Sequence, residues 1–393
     1  MSSWSSSNNR AARRVLIACP APLQPEYGAA QMALNLAGAL RARGHHVDLW
    51  SPAPGPWWSR HRRMRHELDA YLVAHERYDV IDAPSYLVTA AAARSATVVA
   101  RSVQPDAHYL FAEWLHELRR AARPNAGWRA VLRILARSIA YAAYDLWWIC
   151  LMLRGWMRAR YVLSLGSLEH EWMRRRLPML RAKLHWYVNA LAPAEQERLR
   201  EVHRTRHPRD GSTRFLWIGR WSAHKGTERL LRFLEARAVT HPGDRVTIAG
   251  CGTIPDVDAS RLASIPTVRV VPRFKRDALY EMLASHDAGL FTSEVEGWGL
   301  VLNEMIESGL PVYAVASGGV PDLRRYGADI RHFPPRDEPI APATPPRADY
   351  FRDCSWAAIA ASYDRAFVAP ASGERTLPEC HSSRPHPAAS RAC

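Results

Sequence analysis

The sequence predicts an α/β protein made of two doubly wound halves that face each other across a cleft. Short apolar runs alternate with segments of helical periodicity from Arg13 onward, and the same alternation starts again at Arg214. Strands that alternate with helices form parallel sheets covered on both faces, and ligands bind outside the carboxyl ends of their strands. Two such series in 393 residues therefore imply two Rossmann-like domains with facing loops.

The first series begins with the strand VLIAC after Arg13 and Arg14. A Pro/Gly loop leads to AAQMALNLAGALRARG, a helix whose apolar residues share one face, and HVDLW follows as a second strand. Further strand-like runs cover residues 78–83, 97–103 and 161–165. We assign residues 13–190 to an N-terminal domain. Residues 1–12, rich in Ser and Asn, are interpreted as a disordered tail, because the apolar run after them is shorter than a signal peptide needs.

The second series predicts a C-terminal domain over residues 191–350. Its strand-like runs cover residues 214–220, 245–250, 267–271, 288–293 and 311–316. Helices are expected over residues 227–238, near 279–285 and from about Leu300. A proline-rich connector then leads to SWAAIAASYDRAF, a final helix within residues 351–369, and the polar residues 370–393 are interpreted as a second disordered tail.

Composition limits the partners. The chain has 53 Lys+Arg against 38 Asp+Glu, a net charge of +15, which favours something anionic. The excess is spread along the chain, without an RNA-binding aromatic signature or zinc-finger spacing, so we do not predict nucleic-acid binding. The six cysteines lack CxxC spacing, which is typical of reduced thiols in the cytoplasm.

Three loops in the second half are suited to binding a nucleotide diphosphate. In the first, Gly219 and Arg220 end a strand, and Lys225 lies just before a helix, where cations and a helix N-terminus suit phosphate oxygens. The alternative is that both cations are solvated loop charges. In the second loop, Gly250 and Gly252 follow a strand and would let the backbone approach a ligand, although GxG is common in turns.

The third loop is EGWGLVLNEM. Glu296 and Gly297 follow a strand, Gly299 stands where a helix begins, and Glu304 lies two helical turns further along. Such carboxylates can accept hydrogen bonds from the hydroxyls of a ribose or hexose. The alternative is that Glu296 is an ordinary first-turn acid and that Glu304 and Glu307 lie on a solvated face.

These loops resemble the motifs of family 4 glycosyltransferases, which have the GT-B fold. The segment from Glu296 to Asp322 is similar to the family's pattern of Glu, seven residues and Glu, followed by small-Gly-x-Pro-Val and Gly-Gly-x-Pro. IGRWSAHKG is similar to its Gly-Arg-x4-Lys-Gly loop, and Tyr27-Gly28-Ala29 stands where Gly-Gly-Ala is usual. The similarity runs from about Val15 to Phe367 and is most specific between Arg214 and Asp322.

The resemblance implies a retaining transfer of sugar from a nucleotide-diphosphate sugar, with no metal or other cofactor. It implies that Arg220 and Lys225 bind the donor diphosphate and that Glu304 holds the ribose. Glu296, with the backbone at Gly299 and Leu300, would face the sugar, and Gly28 would approach the diphosphate from the other domain. The base would be read near Arg273, Phe274, Gly250 and Gly252. The acceptor would be a saccharide or a lipid-linked saccharide in cell-surface polysaccharide or glycolipid biosynthesis.

Two positions depart from the family pattern. Val103 stands where a histidine is usual: either His108 substitutes for it from the next turn, or the position tolerates its absence. Ala190 replaces a glycine before the second domain. A non-catalytic partner subunit that keeps the donor site is therefore one alternative. A nucleotide-sugar epimerase is another, although its acid/base residues are not evident as a set.

Residues 129–161 combine tryptophans with arginines and contain a stretch in which Asp145 is the only charge. The stretch is shorter than a membrane-spanning helix needs. It fits either a helix lying on the anionic inner face of a membrane or a buried helix of the N-terminal domain. The expected location is therefore the cytoplasm, with a peripheral membrane position as one option.

Overall fold

The computed structural model describes residues 11–24, 27–54, 60–105, 109, 128–206, 211–336 and 340–368, with only the backbone over 128–142. His108 lies outside these residues, as do both predicted tails apart from residues 11 and 12.

The N-terminal domain is built on one parallel sheet in the order β2-β1-β3-β4-β5-β6. Its strands are β1 (Arg14–Ala18), β2 (His46–Trp50), β3 (Val80–Ala83), β4 (Thr97–Arg101), β5 (Tyr161–Leu165) and β6 (Leu184–Tyr187). Its helices are α1 (Gly28–Arg41), α2 (Arg60–Ala74), α3 (Ala90–Ser95), α4 (Trp128–Arg158) and α5 (Gly166–Arg176). The chain adds β2 on one side of β1 and then β3 to β6 on the other side, so the topological switch point lies between β1 and β3.

The C-terminal domain has a second parallel sheet in the order β9-β8-β7-β10-β11-β12. Its strands are β7 (Arg214–Ile218), β8 (Arg245–Ala249), β9 (Val268–Val271), β10 (Ala288–Phe291), β11 (Val312–Ala314) and β12 (Ile330–His332). Its helices are α6 (Pro193–Arg204), α7 (Thr227–Thr240), α8 (Asp256–Ala263), α9 (Arg276–Ser285), α10 (Leu300–Glu307) and α11 (Val320–Arg325). This is the strand order of a dinucleotide-binding Rossmann sheet, with its switch point between β7 and β10.

The two domains share a hydrophobic core. One cluster of buried side chains includes Val15 and Leu165 from the first sheet as well as Leu216 and Trp298 from the C-terminal domain. Continuous apolar strands buried on both faces account for the low exposure of residues such as Leu16 and Phe215. The shared cluster packs the two domains against each other.

The C-terminal segment returns to the N-terminal domain, which the sequence did not reveal. It comprises α12 (Ala348–Asp353), α13 (Trp356–Tyr363) and a π turn (Asp364–Val368). The hydroxyl of Tyr363 donates to Asp82 Oδ2 at 2.7 Å, and the indole of Trp356 donates to the carbonyl of Ala190 at 3.0 Å. Asp82 is fully buried and also pairs with Arg101 of β4. A buried polar cluster thus anchors the end of the chain to the first sheet.

Helix α4 packs on the N-terminal domain along one face. Leu151, Met152 and Trp156 are buried against the N-terminal domain, whereas Leu146 and Trp147 are 63% and 39% exposed. Among the described residues, the helices are too short or too polar to cross a bilayer. The helix is therefore part of the domain and presents an apolar face outward.

We predict that Tyr363→Phe lowers the free energy of unfolding by about 1–3 kcal/mol, because it leaves a buried oxygen of Asp82 without its donor. Urea denaturation measures this change. Arg365→Ala alters an exposed side chain two residues away, and we expect a change within about 0.5 kcal/mol. Equal stabilities of the Tyr363→Phe variant and the parent would contradict the anchoring role.

Candidate active site

Two loops meet at the switch point of the C-terminal sheet, where β7 and β10 end side by side. The backbone N–H groups of Glu294 and Val295 donate to the carbonyl of His224 at 2.8 and 3.2 Å. The hydroxyl of Thr292 donates to the carbonyl of Lys225 at 2.7 Å. These bonds join the loop after β7 to the loop after β10.

Gly226 makes this approach possible. It has a φ of +68°, in the left-handed region, and a Cβ at this position would overlap the carbonyl oxygen of Thr292. Helix α7 begins at the next residue, so the amino end of the helix faces the junction of the two loops. An alanine here would be strained and would also push the loops apart.

Lys225 and Glu296 form an ion pair at this junction. The Lys225 ammonium contacts Glu296 Oε2, which also accepts from the Ser293 hydroxyl at 3.2 Å. The two side chains are only 18% and 12% exposed. The sequence pointed to each residue separately, but it did not predict their contact. The alternative of solvated loop charges is wrong for Lys225.

Arg220 lies on the rim of the same junction and is exposed, next to Gly219. Across the loop after β8, Gly250 and Gly252 have φ values of +70° and +66°. The ring of Phe274 lies 3.1 Å from where a Gly250 Cβ would be, and Arg273 beside it is exposed. The residues expected to read the base therefore lie close together.

Glu304 lies within α10 and is 6% exposed. Its Oε1 accepts from the Arg276 guanidinium at 2.6 Å, and Arg276 also pairs with Glu195 at 2.8 Å. Burial raises the pKa of Glu304, and the neighbouring Arg276 opposes that rise. Glu307 is buried as well, so the alternative of a solvated face for these glutamates is wrong. The sequence did not single out Arg276, which lies one helix away from Glu304.

The N-terminal domain closes against the loop that carries Glu296. The carbonyl of Val103 lies 3.0 Å from where a Gly297 Cβ would be. The Val103 side chain packs on the shared core. Gly28 begins α1, and no heavy atom of the described residues lies within 4 Å of its Cβ position. Gly299 has a φ of +83° and precedes Leu300, the first residue of α10.

His224 is a buried residue of the junction that the sequence did not indicate. Burial, with the charge of Lys225, lowers its pKa to about 4, so the imidazole is neutral at neutral pH. Its Nε2 lies 3.2 Å from the hydroxyl of Ser222, and the ring of Tyr109 packs edge-on at 4.6 Å between centroids. Because Tyr109 follows β4, this contact also crosses between the domains.

A chain of buried hydrogen bonds supports α10 from behind. The Trp298 indole donates to Asn303, whose amide donates to the Tyr350 hydroxyl, at 2.7 and 2.8 Å. Tyr350 then donates to Glu307 Oε1 at 2.7 Å, and Gln196 donates to the same oxygen at 3.2 Å. Glu307 Oε2 has no hydrogen-bond partner among the described residues. Burial raises the pKa of Glu307 to about 7.

Part of the C-terminal domain is similar in sequence to known proteins. Residues 212–344 match the family described as Glycosyl transferases group 1. A glycogen synthase of Mycobacterium tuberculosis is 29% identical over 189 residues, which span 43% of this chain and 46% of that protein. The chain thus spans about half the length of this curated relative. This part of the chain is therefore similar in sequence to glycosyltransferases.

Solved structures identify the fold. The catalytic domain of starch synthase IV from Arabidopsis thaliana, bound to ADP and acarbose, superposes with a TM-score of 0.54 at 13% identity. That comparison covers 84% of this chain and 87% of the other. Sucrose-phosphate synthase from Thermosynechococcus elongatus gives 0.53 at 15% identity, over 88% and 92%. The two six-stranded α/β domains therefore form a GT-B fold.

We predict that Glu307→Gln makes the free energy of unfolding less sensitive to a rise in pH. The folded-state pKa of Glu307 lies above its ordinary value, so its stabilising contribution is present at about pH 5 and is lost as the pH rises through about 7. Glutamine mimics the protonated acid. Between about pH 5 and 8 the parent should lose up to about 3 kcal/mol of unfolding free energy relative to the variant.

Urea titrations of both proteins across this range measure the difference, in which other titrating groups cancel. Glu281→Gln, which changes a glutamate on the exposed side of α9, is the matched control and should leave the pH profile parallel to that of the parent. If the free energies of unfolding of Glu307→Gln and of the parent change in parallel with pH, folding does not raise the pKa of Glu307 and the prediction is wrong.

Proposed function

We propose that this protein is a retaining, metal-independent glycosyltransferase that uses a nucleotide-diphosphate sugar as its donor. The observation that carries the proposal is the Lys225–Glu296 pair at the switch point between β7 and β10. Ligands of open α/β sheets bind at such a point, outside the carboxyl ends of the strands. A cation for phosphate and a carboxylate for hydroxyls lie there in contact, beside the start of α7.

In this proposal, Lys225 and Arg220 bind the donor diphosphate. As the bond to the sugar breaks, negative charge develops on the leaving diphosphate, and the two cations stabilise it. Glu296 orients the Lys225 ammonium and faces the sugar, together with the backbone at Gly299 and Leu300. The negative charge on the leaving diphosphate is then stabilised by side chains of the protein.

The nucleoside part of the donor would lie along the loops after β8 and β9. Glu304 would hold the ribose, with Arg276 beside it, and Phe274 with Gly250 would line the base. The starch synthase structure that shares this fold contains ADP, which supports a nucleoside diphosphate as the donor class. A thermal-shift screen of uridine, guanosine and adenosine diphosphates and their sugars would identify the base.

The acceptor that we propose is a saccharide or lipid-linked saccharide of cell-surface polysaccharide or glycolipid biosynthesis, in the cytoplasm at the inner face of a membrane. The support is the outward face of α4, where Leu146, Trp147 and Met157 are exposed. Arg154 and Arg158 lie on the same helix. Burial lowers the pKa of Arg65 in α2, and the positive charges of these two arginines nearby lower it further. Exposed apolar side chains next to clustered arginines suit an anionic lipid surface.

A second candidate is a non-catalytic partner subunit that binds the donor. Val103 favours it, because this valine packs on the shared core at the position where the family pattern has a histidine. Such a subunit would bind a nucleotide sugar without releasing the nucleotide.

We predict that Lys225→Ala and Glu296→Gln each lower kcat by about 100-fold or more, because each removes a preorganised charge from the site. Release of nucleoside diphosphate from the identified donor measures this. Glu294→Gln is a matched control, since Glu294 lies on the same loop with a 42% exposed side chain. It should keep activity within about threefold.

Full activity of both site variants, with normal folding by circular dichroism, would reject the proposed site. A parent protein that binds a nucleotide sugar but releases no nucleotide, with or without acceptors, would establish the second candidate instead.

We also predict that the protein sediments with vesicles of anionic lipid and is released by salt. Replacing Leu146 and Trp147 together with serine should weaken this binding at least tenfold, because burial of their apolar surface is lost. Val239→Ser changes a side chain that is 82% exposed in the other domain, and it should bind as the parent does. Failure of the parent to bind at low salt would remove the membrane proposal.

A further inference from the structure

A carboxylate of the C-terminal domain caps a helix of the N-terminal domain. Asp322, in the first turn of α11, accepts a hydrogen bond from the backbone N–H of Ser167 at 2.8 Å. Ser167 is the second residue of α5, and Asp322 is 1% exposed. The bond therefore joins two domains through a buried carboxylate.

Helix α5 lacks an ordinary cap of its own. Its N-cap residue, Leu165, has no side chain that can accept a hydrogen bond, and the first N–H groups of a helix have no partner within the helix. Glu169 accepts from the N–H of Leu165 at 2.7 Å, whereas the N–H of Ser167 donates to Asp322. A carboxylate at this end also interacts favourably with the helix dipole. Asp322 supplies what α5 itself lacks.

The fit around this carboxylate is close. Gly166 has a φ of +78°, and a Cβ there would lie 3.1 Å from Asp322 Oδ2 and 3.5 Å from the ring of Trp298. On its own domain, Asp322 Oδ1 accepts from the Arg325 guanidinium at 3.3 Å. A side chain at the start of α5 would therefore crowd Asp322, and the positive φ would strain it as well.

The contact continues into the loop that carries Glu296. Trp298, two residues further on, is 2% exposed, and its carbonyl accepts from the N–H of Gly319 at 2.9 Å. Gly319 lies three residues before Asp322, and Gly297 lies against the carbonyl of Val103. The segment that carries Asp322 is therefore also bonded to the loop that carries Glu296.

We propose that Asp322 is a positioning residue: it clasps the N-terminal end of α5 and so holds the Glu296 loop against the N-terminal domain. Separation of the domains breaks the Asp322–Ser167 bond and leaves a helix donor and a buried carboxylate to be solvated. The clasp itself stands on the contacts described here. Its consequence for catalysis rests on the proposed function.

The clasp is tested first by hydrogen exchange and small-angle X-ray scattering of the full chain. In Asp322→Ala, we expect the peptide that spans residues 165–168 to lose protection by at least tenfold and the radius of gyration to increase. Arg325→Ala is the matched control, because it removes the partner of Asp322 within its own domain and should leave both measurements unchanged. Ser167→Ala keeps the backbone N–H but removes a side-chain hydrogen bond to Asp322, so we expect a smaller loss of protection than in Asp322→Ala.

Two further variants keep the test decisive if Asp322→Ala is poorly folded. Gly166→Ala acts from the other domain, and the Cβ should produce the same loss of protection and the same expansion. Asp322→Asn keeps an acceptor but not the charge, and it should restore most of the protection. Unchanged exchange and scattering in both Asp322→Ala and Gly166→Ala would overturn the clasp.

Activity gives an independent readout. If the proposed function is correct, Asp322→Ala should lower kcat by about 100-fold, because small misplacements of reacting groups have effects of that size, while KM for the donor stays within about threefold. A lower kcat without a change in exchange or scattering would assign Asp322 a local role and reject the clasp. If the parent shows no transferase activity, hydrogen exchange and scattering still test the clasp. Failure of the proposed function and failure of the clasp are therefore distinguishable.

Discussion

The candidate site depends on one constraint, which is that β7 and β10 are adjacent in the sheet although two strands and three helices separate them in the chain. Adjacency brings their loops within hydrogen-bonding distance, and the carbonyl of His224 accepts from both Glu294 and Val295. The loops could not approach so closely with a side chain at position 226, because a Cβ there would overlap Thr292. The Lys225–Glu296 pair follows from this backbone contact.

The same loop is also held from two other directions. Behind it, Trp298 begins the chain of buried hydrogen bonds that ends at Glu307 and reaches α6 and α12. In front of it, Trp298 and Gly297 contact the ends of β4 and β5 in the other domain. Leaving a buried polar group without its hydrogen-bond partner costs free energy, so displacement of the loop in either direction is unfavourable. Glu296 is therefore held in place by packing on three sides.

The sequence predicted most of the elements that carry the site, because their signals are local. The helices expected from residue 227 and from about Leu300 begin at Thr227 and Leu300, and the strand expected over residues 214–220 covers Arg214–Ile218. The strands β6 and β12 were not predicted. Both lie at a sheet edge and are only partly buried, and their residues, LHWY and IRH, do not form the continuous apolar run that marks the other short strands. Arg276, His224 and Asp322 were not recognised as parts of the site, since their partners are distant in sequence.

By itself, the sequence determined the two α/β halves, the three glycine-containing loops and the residue types of the proposed donor site, because strand periodicity and turn residues act over a few positions. Only the tertiary structure decided which charges pair, that Glu304 and Glu307 are buried, and that the C-terminal segment returns to Asp82. It also decided that a carboxylate of one domain caps a helix of the other. The reason is physical: burial and pairing depend on neighbours that the fold brings together although they lie 71 to 281 positions apart in the chain, and local sequence patterns do not show them.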